Sequence, residues 1–259
     1  MTEWNAAEYA HQSSLQAAMA EQVLSLLELK GSERILDVGC GQGKVSAEIA
    51  QRVAEGSLLG IDPSHDMIDF ARSHFSQPNL RFEVADARQL AFQNEFDLVV
   101  SFNALHWIPE QDVALRSIRG SLVAGGRAQL RLVPVGPRQS LESVVEETRR
   151  AAPWRVYFAN FEDPYLRLTP EEYAAVAERN GFRVLRLQKE DLAWDFGSRL
   201  EFMGFCAVGC VAWTDRIPAT ERPRFLNDVL DRYESVAADK PGEESTFKFS
   251  QMDISLVAI

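Results

Sequence analysis

Three glycines at alternate positions within seven residues, Asp37-Val38-Gly39-Cys40-Gly41-Gln42-Gly43, constrain this chain more than any other feature. They follow Ile35-Leu36-Asp37-Val38, which reads as a buried strand, and precede Val45 to Val53, where apolar residues recur at helical spacing. A glycine-rich turn between a strand and a helix reverses the backbone tightly and lets a ligand approach the main chain. The chain should therefore open a β-α-β unit at this point, with a ligand at the turn.

The rest of the sequence repeats the alternation. Leu15, Met19, Val23, Leu26 and Leu27 predict a leading helix. Ser57 to Asp62 reads as a second strand, with Met67, Ile68 and Ala71 on the helix behind it. Leu80, Phe82 and Val84 alternate with Arg81, Glu83 and Ala85 in a third strand, and Phe96 to Ser101 forms a fourth. A helix from Gln111 to Leu122 and a strand from Arg127 to Val133 flank the Gly125-Gly126 turn. Thr169-Pro170-Glu171-Glu172 supplies an N-cap, a first-turn proline and a capping-box glutamate, and the strand Phe182 to Leu187 follows Gly181. Strands alternating with helices imply an α/β fold, a doubly wound Rossmann-like parallel sheet covered on both faces. Helices around Arg199 to Ala212 and Glu221 to Val236 have no strand between them and are expected to cover the sheet as a helical lid. The whole chain, 1–259, reads as a single domain, the lid being built from 1–14, 136–167 and 191–245.

Composition narrows the function. The 259 residues are 46% hydrophobic and 10% aromatic, enough for a buried core. A net charge of −11 repels phosphate backbones and anionic membranes, so neither nucleic acid nor a membrane is an expected partner. No apolar run reaches bilayer-spanning length, and Met1-Thr2-Glu3-Trp4-Asn5 lacks the start of a signal peptide, so a cytoplasmic location is expected. Cys40, Cys206 and Cys210 have no metal-like spacing and read as reduced thiols; no metal is expected.

The detail of the turn discriminates between cofactors. A dinucleotide fingerprint needs its third glycine at the sixth position, where this chain has Lys44. Asp37 places a carboxylate beside the turn, where a pyrophosphate is repelled and an ammonium or sulfonium is tolerated. Asp62 ends the second strand 23 residues after Gly39, where a carboxylate can accept both ribose hydroxyls, and Asp86 lies just past the third strand, in reach of an adenine amino group. Either carboxylate could instead cap the turn that follows it.

These segments, together with the Asn103 turn and Gly125-Gly126, resemble the class I S-adenosylmethionine-dependent methyltransferases over nearly the whole chain. The resemblance implies S-adenosylmethionine as cofactor and S-adenosylhomocysteine as product. Asp37, Gly39, Cys40, Gly41 and Gly43 would border the methionine part, Asp62 the ribose, Met67 the adenine ring, Asp86 and Ala87 its amino group, with Asn103 completing the site. It also implies an antiparallel last strand, matching Phe247 to Ile259. A narrower likeness, carried by Trp4-Asn5, Tyr9, Ser13-Ser14, Gln16 and Asn103-Ala104-Leu105-His106-Trp107-Ile108-Pro109, is to the trans-aconitate and juvenile hormone acid methyltransferases. It implies O-methylation of a carboxylate on a small, partly apolar acceptor; C- or N-methylation of another metabolite is the alternative. A nicotinamide-dependent oxidoreductase and a non-catalytic cofactor-binding protein are the readings from other classes.

Candidate acceptor residues are Tyr9, Gln16, His106, Trp107, Trp154 and Trp213. His106 reads either as a general base or as a hydrogen-bonding wall. Arg131, Arg138 and Arg155 are the arginines open to binding an acid. The lid aromatics divide between packing and an apolar pocket.

Overall fold

The computed structural model describes residues 14–259. Helix α1 (Ser14–Ser25) leads into β1 (Arg34–Val38), α2 (Lys44–Arg52), β2 (Ser57–Asp62), α3 (His65–His74), β3 (Leu80–Val84) and β4 (Phe96–Phe102). Next come α4 (Gln111–Ser121), β5 (Leu122–Leu132), α5 (Leu141–Arg150), α6 (Pro170–Arg179) and β6 (Phe182–Asp195). The chain ends in α7 (Arg199–Gly209), α8 (Val211–Thr214), α9 (Arg222–Ala237) and β7 (Thr246–Ala258).

The seven strands form one sheet in the order β3-β2-β1-β4-β5-β7-β6. Strands β1 to β5 pair in parallel, and β7 runs antiparallel between β5 and β6, as the resemblance implies. Alternation along each strand feeds two cores. Leu36, Val99, Leu130 and Ile254 face α4 and α6, packing with Leu115, Ile118, Tyr173 and Val176. Ile35, Leu58, Leu98 and Val100 face the other way, against Ile49 and Ala50 of α2 and Ile68 and Ala71 of α3.

A third cluster lies beyond these two cores. Val144 and Val145 of α5, Trp154, Phe202 and Cys206 of α7, Trp213, Phe225 and Val229 of α9, and Phe247 and Phe249 of β7 form a cap core. The β6–β7 pairing carries the sheet into it, from Phe182↔Ala258 to Asp195↔Thr246. Strand β6 is thus longer than the expected Phe182 to Leu187, because Gln188-Lys189-Glu190-Asp191 looks like a break in the apolar pattern. As the outer strand, β6 tolerates polar residues along its exposed positions, and Leu192 and Trp194 resume the pattern against the cap. Strand β5 begins at Leu122, not Arg127. Leu122 pairs Phe96, the register slips before Arg127↔Leu98, and Gly125 (φ 72°) occupies the irregularity.

Cys206 and Cys210 are free and buried in the cap, in keeping with a packing role. Among the described residues no helix is long and apolar enough to cross a membrane.

Phe225 is fully buried at the centre of the cap, 5.2 Å from the Trp154 ring. Phe225→Ala should cost about 3–5 kcal/mol, the usual range for a buried aromatic truncated to alanine. Equilibrium urea denaturation checks this; a loss below 1 kcal/mol would mean the cap is not packed as one core.

Candidate active site

The turn after β1 is held from several sides. The amides of Gly39 and Cys40 both donate to the Ile61 carbonyl at the end of β2, at 2.8 and 3.0 Å. Asp62, the last residue of β2, accepts from Gly41 N and from Ser64 N, each at 3.0 Å. Its carboxylate therefore ties the glycine turn to the chain entering α3, whose N-cap is Ser64.

The three glycines do different work. All have positive φ, at 75°, 52° and 79° for Gly39, Gly41 and Gly43. A Cβ on Gly39 would lie 2.2 Å from Ala104 Cβ, and one on Gly43 would lie 2.5 Å from the Phe82 ring and 2.9 Å from Ala71 Cβ. Those two glycines permit close packing of the turn on its neighbours. A Cβ on Gly41 would meet nothing within 4 Å. Gly41 faces open space, where a ligand can meet the backbone.

Asp37 is buried and receives one hydrogen bond, from Ser46 Oγ at 2.6 Å. Burial pushes its pKa up to about 7, and the nearby Asp62 charge adds to the rise. The Cys40 thiol is pushed well above its usual range by burial and by the same two carboxylates.

On the far side of β1, Gly39 packs against the turn that follows β4. Asn103 has φ 56° and donates its amide to the Arg131 carbonyl at 2.9 Å. Its side-chain Oδ1 is buried and has no hydrogen-bond partner among the described residues. Leu105–Trp107 form a single 3₁₀ turn. His106 is 4% exposed; its Nδ1 accepts from Val133 N at 3.4 Å, and burial lowers its pKa to about 3. The Tyr165 ring lies 5.1 Å from His106 and 5.0 Å from Trp107.

The other expected residues fall as follows. Met67 and Ala87 are buried, Met67 on α3 and Ala87 in the 3₁₀ turn after β3. Asp86 caps that turn through Arg88 N, and both its oxygens are engaged by the Arg88 guanidinium, which holds its pKa below the usual range. Trp213 lies 5.9 Å from Trp107, with its indole donating to Glu146 at 2.6 Å. Trp154 is deeper in the cap core, its indole bonded to Asp228 at 2.7 Å. Tyr9 lies outside the described residues, as does the side chain of Gln16. Of the arginines, Arg131 is locked bidentate to Asp253 at 2.7 and 2.8 Å, and Arg138 to Asp239 and two carbonyls. Arg155 is on the surface. Tyr165, whose ring borders the His-Trp turn, is absent from the sequence-based set; it stands in the irregular stretch before Thr169, where no periodicity marks it.

Residues 35–126 match a family described as a methyltransferase domain. The chain is 32% identical over 190 residues to the malonyl-[acyl-carrier protein] O-methyltransferase of Geobacter sulfurreducens, covering 72% of this chain and 70% of that one. The chain belongs to the class I S-adenosylmethionine-dependent methyltransferases. The trans-aconitate 2-methyltransferase of Deinococcus radiodurans is 33% identical over 123 residues, 48% of this chain and 46% of that relative, so the match spans about half of its length. Among solved structures, the phosphoethanolamine N-methyltransferase 2 of Haemonchus contortus, in complex with phosphomonomethylethanolamine and S-adenosylhomocysteine, superposes with a TM-score of 0.61 at 17% identity. It covers 93% of this chain and 52% of that one.

The site of this methyltransferase fits its cofactor. Open space lies at Gly41, and the buried Asp37 carboxylate has one hydrogen bond where a cation would relieve it. Unpartnered Asn103 Oδ1 suits a donor such as an ammonium.

Two outcomes follow. Gly41→Val should abolish S-adenosylmethionine binding in calorimetry while shifting Tm by only a few degrees, whereas Gly43→Val should fail to fold stably; normal binding by Gly41→Val would move the cofactor elsewhere. Asp37 carries a folded pKa raised to about 7 from 3.8. The folded protein therefore binds the proton in preference to the unfolded chain, and this stabilisation is lost as pH rises through 7. Asp37→Asn should then raise Tm at pH 8 yet weaken cofactor affinity about tenfold, the order expected for one charge-assisted contact. A variant with both properties unchanged would remove Asp37 from the site.

Proposed function

We propose that this enzyme methylates a carboxylate oxygen of a small, partly apolar acid, and does so without a general base. The observation that carries the reading is His106. Its imidazole borders the site, but burial holds it neutral, with a pKa of about 3. A group so hard to protonate is a poor acceptor for a proton at neutral pH. A carboxylic acid with a pKa near 4 is already ionised there and has no proton to give up.

Two further features support it. The names of the two curated relatives above, malonyl-carrier and trans-aconitate methyltransferase, refer to carboxylic acids. Trp107, Tyr165 and Trp213 form an aromatic wall around His106, suited to the apolar part of such an acceptor.

Bound S-adenosylmethionine supplies a methyl group on a sulfonium, already activated for transfer. The residues of this chain then have two tasks. Asp37, Gly39, Cys40, Gly41, Gly43, Asp62, Met67, Asp86, Ala87 and Asn103 hold the cofactor. His106 and Trp107 orient the acceptor and exclude water. Orientation of this kind can supply up to about 7–11 kcal/mol of barrier lowering in favourable systems.

With saturating S-adenosylmethionine, whose positive charge favours ionised Asp37, the chemical rate should be nearly flat from about pH 6 to 8.5, since neither the acceptor nor His106 changes protonation there. His106→Asn should retain most of the single-turnover rate with an acid acceptor and labelled methyl donor. A loss of about a hundredfold or more, with a wild-type titration near pH 6.5, would point instead to an acceptor that must lose a proton, such as a phenol or amine.

A further inference from the structure

The 3₁₀ turn after β3 (Ala87–Gln89) and the chain entering α4 share one guanidinium. Asp86 Oδ1 accepts from Arg88 N at 2.9 Å and from Arg88 Nε at 3.0 Å. Its Oδ2 accepts from Nη2 at 2.6 Å and from Nε at 3.1 Å. The remaining nitrogen, Nη1, donates to Glu110 Oε2 at 3.1 Å. Glu110 stands three residues past Trp107, and the next residue, Gln111, donates through Nε2 to the Leu105 and Ile108 carbonyls, both at 2.6 Å. Arg88 thus bridges the carboxylate beyond β3 and the chain that follows the His-Trp turn.

The contacts on Asp86 divide by origin. The amide of residue 88 donates to Oδ1 whatever side chain that residue carries, so the carboxylate is turned into its place by the backbone. The guanidinium occupies acceptor positions. A carboxylate has about four, and three of the four contacts on Asp86 come from the Arg88 side chain. An amino group arriving at Asp86 has to displace one of them. Asp86 is the more buried acid, its side chain 23% exposed against 52% for Glu110, so its attraction for the guanidinium is the less screened. Arg88 therefore rests on Asp86 as a fork and touches Glu110 through one nitrogen, and when displaced it still has a carboxylate to hold.

We infer that Arg88 competes with the adenine amino group for Asp86, with Glu110 keeping the guanidinium as the cofactor binds. Arg88 then sets how tightly cofactor and product are held and how strictly adenine is selected. This rests on the assignment of Asp86 to adenine in the site proposed above. The competition weakens S-adenosylhomocysteine as well as S-adenosylmethionine, and so eases release of the product.

Calorimetric titration with S-adenosylhomocysteine and S-inosylhomocysteine tests this, the second ligand carrying a carbonyl where adenine has its amino group. Arg88→Met should bind S-adenosylhomocysteine about threefold to fivefold more tightly than wild type, the range open to a part-exposed ion pair, and should gain nothing for the inosyl ligand. Glu110→Gln should bind S-adenosylhomocysteine about twofold more weakly, because the guanidinium is left with Asp86 alone, and this drop should vanish in the Arg88→Met background. Unchanged or weaker S-adenosylhomocysteine binding by Arg88→Met would mean that the pair only braces the turn, and equal gains for both ligands would mean a general charge effect. Either result overturns the competition, as does a Glu110→Gln effect that is absent or that survives without Arg88. Asp86→Asn tests the assignment beneath it, and should lose most of the preference for the adenosyl over the inosyl ligand. If that preference is unchanged, Asp86 does not meet adenine and both ideas fall; if it is lost while Arg88→Met shows no gain, the assignment stands and the competition alone falls.

Discussion

The contact between Gly39 and Ala104 holds the two halves of the site together. Strands β1 and β4 are neighbours in the sheet, with β2 on one side and β5 on the other, which is the point where the strand order reverses and where such sheets bind ligands. A Cβ at position 39 would lie 2.2 Å from that of Ala104, so only glycine lets the turn after β1 and the turn after β4 approach this closely. The approach is reinforced from below by Ser101 Oγ, which donates to the Val38 carbonyl at 2.7 Å. Asn103, one of the few residue types that tolerate φ near 56°, redirects the chain over the glycine turn. The cofactor turn and the His-Trp turn are consequently one structural unit, and a shift in either is felt by the other.

Asp37 shows what a buried carboxylate costs that unit. A buried carboxylate with a single hydrogen bond is costly when ionised, and the Asp62 charge nearby makes it costlier. Asparagine would fit the same space and keep the Ser46 bond at lower cost. What the carboxylate offers on the proposed reading is a buried acceptor whose ionisation a cationic ligand would favour. Asp62 behaves differently: its oxygens already hold the amides of Gly41 and Ser64, so it would bind a ligand with a geometry the protein has fixed in advance.

The sheet was legible because its strands are short apolar runs bounded by glycine, proline and capping residues, as at Thr169-Pro170-Glu171-Glu172, where the capping box forms. Length was not legible for β6, whose polar middle is stabilised by pairing with a distant strand and leaves no local signature. The alternate glycines revealed a ligand turn, but their separate tasks depend on Phe82, Ala71 and Ala104, which come near only on folding. Asp86 illustrates the same limit. Arg88, two residues on, occupies its carboxylate, so capping and ion pairing are its visible roles. Trp154 and Trp213 stood out as candidate acceptor residues by type alone, yet the acids that receive their indole N–H groups, Asp228 and Glu146, are 74 and 67 residues away.

The proposed division between cofactor and acceptor residues follows the division between the two kinds of core. Residues around the glycine turn are fixed by the parallel sheet, whose geometry leaves little freedom at the strand ends. The cap is a separate apolar cluster, joined to the sheet through the β6–β7 pairing and through the short segment that bonds His106. Phe225 and Trp154 belong to this cluster and to neither of the two cores that cover the parallel strands. Fold alone therefore fixes where a methyl donor sits, and says little about what receives the methyl group. On the proposed reading, selection of the acceptor resides where the cap meets the sheet, and there the chain sets a neutral histidine beside aromatic rings.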